Sequence, residues 1–123
     1  MLLALFIGSQ AGCKKSDSGS DPITGYSIIG KWSKTISSQK LILQFNNSGK
    51  FDAGTQDTIY PNYGTFSTSG NEFSIIDISQ LSSCGSTIGK YTFTVTSNTL
   101  IFVLKSDSCT ARTLTLVGTW NKE

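Results

Sequence analysis

From residue 26 onward the chain alternates apolar and polar side chains in short segments, and residues that favour turns separate those segments. Leu41, Leu43 and Phe45 share one face against Lys40, Ile42 and Gln44, the period-two pattern of a half-buried strand. Phe73 and Ile75 alternate with Ser74 and Ile76, and Tyr91, Phe93 and Val95 with Thr92 and Thr94. Leu100, Phe102 and Leu104 alternate with Ile101 and Val103, and Leu114, Leu116, Gly118 and Trp120 with Thr113, Thr115, Val117 and Thr119. Between them, Asn46-Asn47-Ser48-Gly49, Ser69-Gly70-Asn71 and Ser97-Asn98 supply residues that tolerate positive φ or hydrogen-bond their own backbone, as tight hairpins require. The pattern predicts eight strands, at 27–36, 40–46, 50–54, 62–68, 72–78, 89–96, 99–105 and 112–121. Short connections pair neighbours as hairpins. A meander of this size can close on itself, which removes both sheet edges. The expected fold is therefore all-β, an antiparallel up-and-down eight-stranded barrel, with a β-sandwich as the alternative arrangement.

Composition agrees with a folded all-β chain. With 37% hydrophobic and 15% charged residues the sequence is too apolar for a disordered segment, and only two Pro accompany its many Ser, Thr, Asn and Gly. The net charge of +2 carries no electrostatic footprint for nucleic acid. The 123 residues contain no His, which removes the commonest general base, the usual activator of a Ser or Cys nucleophile and the usual zinc ligand together. Asp52 and Asp57 lack the ligand density of a calcium loop. No cofactor or metal is expected, and the reading is non-enzymatic.

Residues 1–13 are organised differently. Leu2, Leu3, Ala4, Leu5, Phe6 and Ile7 form an apolar run too short to span a bilayer, followed by small residues up to Cys13. Small residues directly before a Cys resemble the lipobox of bacterial lipoproteins, in which that Cys is acylated and becomes the mature N-terminus. On that resemblance residues 1–12 are a lipoprotein signal peptide and Cys13 is the lipidation site. Residues 13–25 are rich in Gly, Ser and charge and read as a flexible tether with a reach of roughly 15 to 20 Å. The barrel domain follows at 26–123. The implied location is the cell envelope of a Gram-negative bacterium, lipid-anchored to the outer membrane, and the implied state is a monomer.

Ile29-Gly30-Lys31-Trp32, at the opening of the first expected strand, resembles the Gly-x-Trp signature of lipocalins. Ser48-Gly49-Lys50-Phe51, Tyr63-Gly64-Thr65-Phe66, Gly89-Lys90-Tyr91 and Gly118-Thr119-Trp120 follow it in order. The set is similar to the small lipocalin-like domains of secreted bacterial lipoproteins over residues 28–122. The resemblance implies a barrel with a binding or scaffold role. In lipocalins an Arg near the end of the last strand packs over the Trp of the first, but Arg112 stands at the beginning of the expected strand 112–121, which puts it at the far end from Trp32 and Trp120.

Cys84 and Cys109 remain once Cys13 is assigned to lipid. They flank the hairpin of strands 89–96 and 99–105, whose ends return to the same side of the sheet, so a disulfide is expected in an oxidising compartment. For Arg112, an ion pair with Asp107 or capping of loop carbonyls is favoured over clamping a ligand. Two functions remain. In one, Trp32, Phe45, Phe51, Tyr91, Phe93 and Trp120, with Arg112, surround a small apolar ligand. In the other, the same side chains fill the barrel and the chain is a structural or interaction lipoprotein.

Overall fold

The computed structural model describes residues 19–55, 62–78 and 84–123. Among these residues eight strands are present: β1 Gly30–Ile36, β2 Gln39–Phe45, β3 Lys50–Thr55, β4 Asn62–Ser69, β5 Glu72–Asp77, β6 Gly89–Val95, β7 Thr99–Ser106 and β8 Gly118–Lys122. Each pairs antiparallel with the next, and β1 pairs with β8, so the sheet is a closed up-and-down barrel and the sandwich alternative falls away. The alternation read from the sequence is the alternation of burial. Tyr91, Phe93 and Val95 face inward on β6, and Leu100 and Phe102 do so on β7. Phe45, Phe66, Phe73, Tyr91 and Phe102 interlock at centroid separations of 4.7 to 6.4 Å and fill one half of the interior.

The turns follow local chemistry. Asn46 Oδ1 accepts from the amides of Ser48 and Lys50, both at 3.1 Å, and holds the β2–β3 turn. The β1–β2 hairpin turns on Ser37 and Ser38, both at positive φ (51° and 66°), a left-handed pair that usually draws Asn and Gly.

The last expected strand, 112–121, is corrected. Residues Thr110–Leu116 form a short helix, α1, and only Gly118–Lys122 is strand. Thr113-Leu114-Thr115-Leu116 mimics period two, yet burial follows the helical period. Arg112 and Leu116, four apart, are buried, while Leu114 is 73% exposed. The consequence is that α1 brings Ala111, Arg112, Thr115 and Leu116 to the cavity that Trp120 also lines.

Of the expected tether, 13–25, residues 19–25 are described. Residues 19–28 fold back on the barrel: Ile28 donates to Gly19 O, Gly19 N donates to Thr68 Oγ1 at 2.7 Å, and Ile28 is fully buried. Asp21, 1% exposed, accepts from the amides of Val95 (2.9 Å) and Ile23 (2.8 Å). Its burial opposes ionisation, but these donors outweigh it and hold the carboxyl below its ordinary value. Ser and Asp here serve as turn and cap groups rather than as solvated spacer. Cys13 and the rest of the expected signal and tether segments lie outside the described residues.

Barrel closure rests on a repeated pattern. Gly30-Lys31-Trp32-Ser33-Lys34 and Gly118-Thr119-Trp120-Asn121-Lys122 lie antiparallel, with Ser33 opposite Asn121 and Trp32 opposite Lys122. Lys122 Nζ sits 4.7 Å from the Trp32 ring centroid and Lys34 Nζ 4.6 Å from that of Trp120. Each indole N–H donates four residues back, Trp32 to Ile28 O at 2.8 Å and Trp120 to Leu116 O at 2.9 Å. Ile28 and Leu116, whose carbonyls accept these bonds, are both buried in the core. The cation over Trp32 comes from Lys122 near the end of β8, the place where Arg112 does not stand.

Candidate functional site

The connection from β7 to β8 builds the second half of the interior. β7 ends at Ser106, and Asp107 turns the chain by accepting from the Cys109 amide at 2.9 Å. Cys109 is joined to Cys84 by a disulfide with Cα atoms 5.4 Å apart across a separation of 25 residues. This link ties the β5–β6 connection to the start of α1, and closing a loop of that length restricts the unfolded chain by roughly 3.5 kcal/mol in the entropy model.

From the first turn of α1, Arg112 reaches back to Asp107 in a fork, Nε to Oδ2 at 2.7 Å and Nη2 to Oδ1 at 2.8 Å. Nη2 also donates to Thr87 O at 2.9 Å, so Arg112 both pairs with Asp107 and caps a loop carbonyl. Tyr91 OH donates to Asp107 Oδ2 at 2.5 Å. Gly89 leaves the room this cluster needs: a Cβ there would meet Asp107 Oδ2, and Arg112 Nη2 at 2.9 Å.

Two titrations carry the energetic consequence. Burial opposes the charge on Asp107, but hydrogen bonds from Arg112, Tyr91 and the Cys109 amide prevail and hold its carboxyl at about 2, below the ordinary 3.8. Burial, with the bond to ionised Asp107, pushes the Tyr91 phenol up to about 12 from 10.0. Because the folded Asp107 pKa is the lower one, its stabilisation is complete above about pH 4 and is lost as the pH falls towards 2. The raised Tyr91 value acts oppositely: its contribution is complete below pH 10 and is lost towards 12. The denaturant midpoint is therefore expected to fall between pH 4 and pH 2, and to fall less in an Asp107→Asn variant of lower starting stability. An equal acid slope in both proteins would show that Asp107 is not a source of it.

Between this cluster and the aromatic half lies a cavity of about 230 Å³. Leu43, Phe51, Ala53, Ile75, Leu116 and Trp120 give it apolar walls, and Asn62, Asp77, Arg112 and Thr115 lie at its polar side. Ala53, opposite Leu43 in register, is small where neighbouring strands present large side chains, and this leaves the volume open. Arg112 Nη1 is buried and, among the described residues, without a hydrogen-bond partner, with Asp77 Oδ2 3.7 Å away.

Of the side chains expected around a ligand, Phe51, Arg112 and Trp120 line the cavity. Trp32, Phe45, Tyr91 and Phe93 are packed into the core. Sequence reading missed Ala53, Asp77 and α1 as parts of the site; an inward Ala amid aromatic strands is the signal that points to the cavity. Among the described residues no group of three or more His, Cys, Asp or Glu is placed to hold a metal. Comparison with protein families, with curated proteins and with solved structures finds no match to this chain.

Proposed function

We propose that the protein is an exported, non-enzymatic lipoprotein, anchored to the outer membrane through acylated Cys13, whose lipocalin-like barrel binds a small apolar molecule. The observation that carries the reading is the cavity beneath α1, apolar on most sides and with a buried guanidinium N–H at its polar side. Such a volume beside a buried donor supports a binding role over a scaffold filled with its own side chains. The Gly30-Lys31-Trp32 signature and the small residues before Cys13 support the lipocalin-like and lipoprotein parts.

The second reading, a structural or interaction lipoprotein with a filled barrel, draws on the interlocked aromatic half of the interior. One preparation separates the two. Full-length chain expressed in a Gram-negative host is extracted from membranes and weighed intact, first denatured and then under native conditions. The expected result is a mass that begins at Cys13 with acyl chains attached, and a native mass that exceeds it by a small molecule. An uncleaved, unacylated chain refutes the lipoprotein part, and a native mass equal to the denatured one favours the filled scaffold.

A further inference from the structure

We propose that the cavity takes a small apolar molecule with a neutral hydroxyl head, held between Arg112 Nη1 and Asp77. The inference rests on the cavity being a ligand site and names the chemistry of that ligand.

The donor side is explicit. Arg112 has five N–H groups. Nε and Nη2 are committed to Asp107 and Thr87, while Nη1 is buried without an acceptor among the described residues. A buried guanidinium donor on a residue that lines a cavity calls for an oxygen from the occupant. The acceptor side is Asp77 Oδ2, 3.7 Å from Nη1, too far for a direct hydrogen bond. One oxygen set against both atoms accepts from Nη1 and donates to the carboxylate. A hydroxyl does both; an ammonium has no acceptor, and an ionised carboxylate has no donor.

Charge points the same way. Arg112 is flanked by two carboxylates, Asp107 and Asp77, so it is not an unpaired cation. A ligand carboxylate would be attracted by Arg112 but repelled by Asp77 at similar range and again by Asp107. Lys34 is not part of the cavity wall; its ammonium is held by the Thr115 and Val117 carbonyls and the Trp120 ring.

Size sets the rest. A volume of about 230 Å³ lies below the roughly 300 Å³ at which drug-sized sites begin, so the occupant has on the order of ten non-hydrogen atoms.

The test titrates the disulfide-bonded protein with 1-octanol, octanoate and octylammonium at neutral pH, followed by calorimetry and by the Trp120 indole N–H resonance. Octanol is expected to bind on the order of a hundredfold more tightly than octanoate, and more tightly than octylammonium. Ala53→Leu, which narrows the cavity, should weaken octanol at least about tenfold. Asp77→Asn should move the octanol-to-octanoate ratio towards octanoate by at least about tenfold, a change in preference that loss of stability alone would not produce. Octanoate binding as tightly as octanol to the unaltered protein overturns the hydroxyl assignment and leaves the ligand-site reading standing. Octanol binding that Ala53→Leu does not weaken lies outside the cavity and also overturns it. No binding of any probe removes the ligand-site reading and the inference together.

Discussion

Replacing Trp120 by Ala is expected to destabilise the fold by about 3 to 5 kcal/mol, the range for deleting a fully buried aromatic side chain. Three separate losses combine there. The indole is 1% exposed and forms a cavity wall, so its removal enlarges an existing void that neighbours cannot fully collapse into. Its N–H leaves Leu116 O without a donor at the end of α1. Lys34 loses the ring it lies over, next to the seam where β1 meets β8. Lys34→Met, which keeps the stem and removes only the charge, is expected to cost about 1 kcal/mol or less. Equilibrium urea unfolding checks both. A Trp120→Ala midpoint near that of the unaltered protein would show that the β1–β8 seam does not depend on the paired Gly-x-Trp-x-Lys segments.

The second large effect is expected from Asp107→Ala, at about 3 to 5 kcal/mol, because it removes the forked partner of the buried Arg112 guanidinium and leaves it the Thr87 carbonyl and the longer contact to Asp77. Asp107 also accepts from Tyr91 and the Cys109 amide, so its removal loosens β6 and the start of α1 together. Thermal unfolding of oxidised protein measures the loss while the disulfide remains intact. A shift corresponding to less than about 1 kcal/mol would place the Arg112–Asp107 fork among pairs whose desolvation cancels their attraction.

Much of this architecture is local in origin and was legible in the residues. Alternation such as Tyr91, Phe93 and Val95 decides which side chains face inward, because in a strand the period is two wherever the strand lies. Asn46 and Gly49, and Gly70 with Asn71, place their turns through their own backbone chemistry. Cys84 and Cys109 flank one hairpin, whose two ends return to the same side of the sheet, so hairpin topology brings them within reach of each other.

Three features depended on contacts distant in sequence. Residues 110–116 carry an alternation that suits a strand, yet the chain, turned at Asp107 and tied at Cys109, forms α1, in which Arg112 and Leu116 are buried while Leu114 between them is exposed, a separation that one strand face would not allow. Residues 19–25 read as solvated spacer, yet Asp21 finds the Val95 amide 74 positions away, and no local pattern announces an acceptor for so remote a donor. The cavity is likewise a property of the closed barrel. Ala53 is unremarkable on β3; the β2–β3 hairpin sets it beside Leu43, but only closure brings Ile75, Trp120 and Arg112 to the same cavity, because empty volume belongs to the packing of many strands and is not encoded in any one of them.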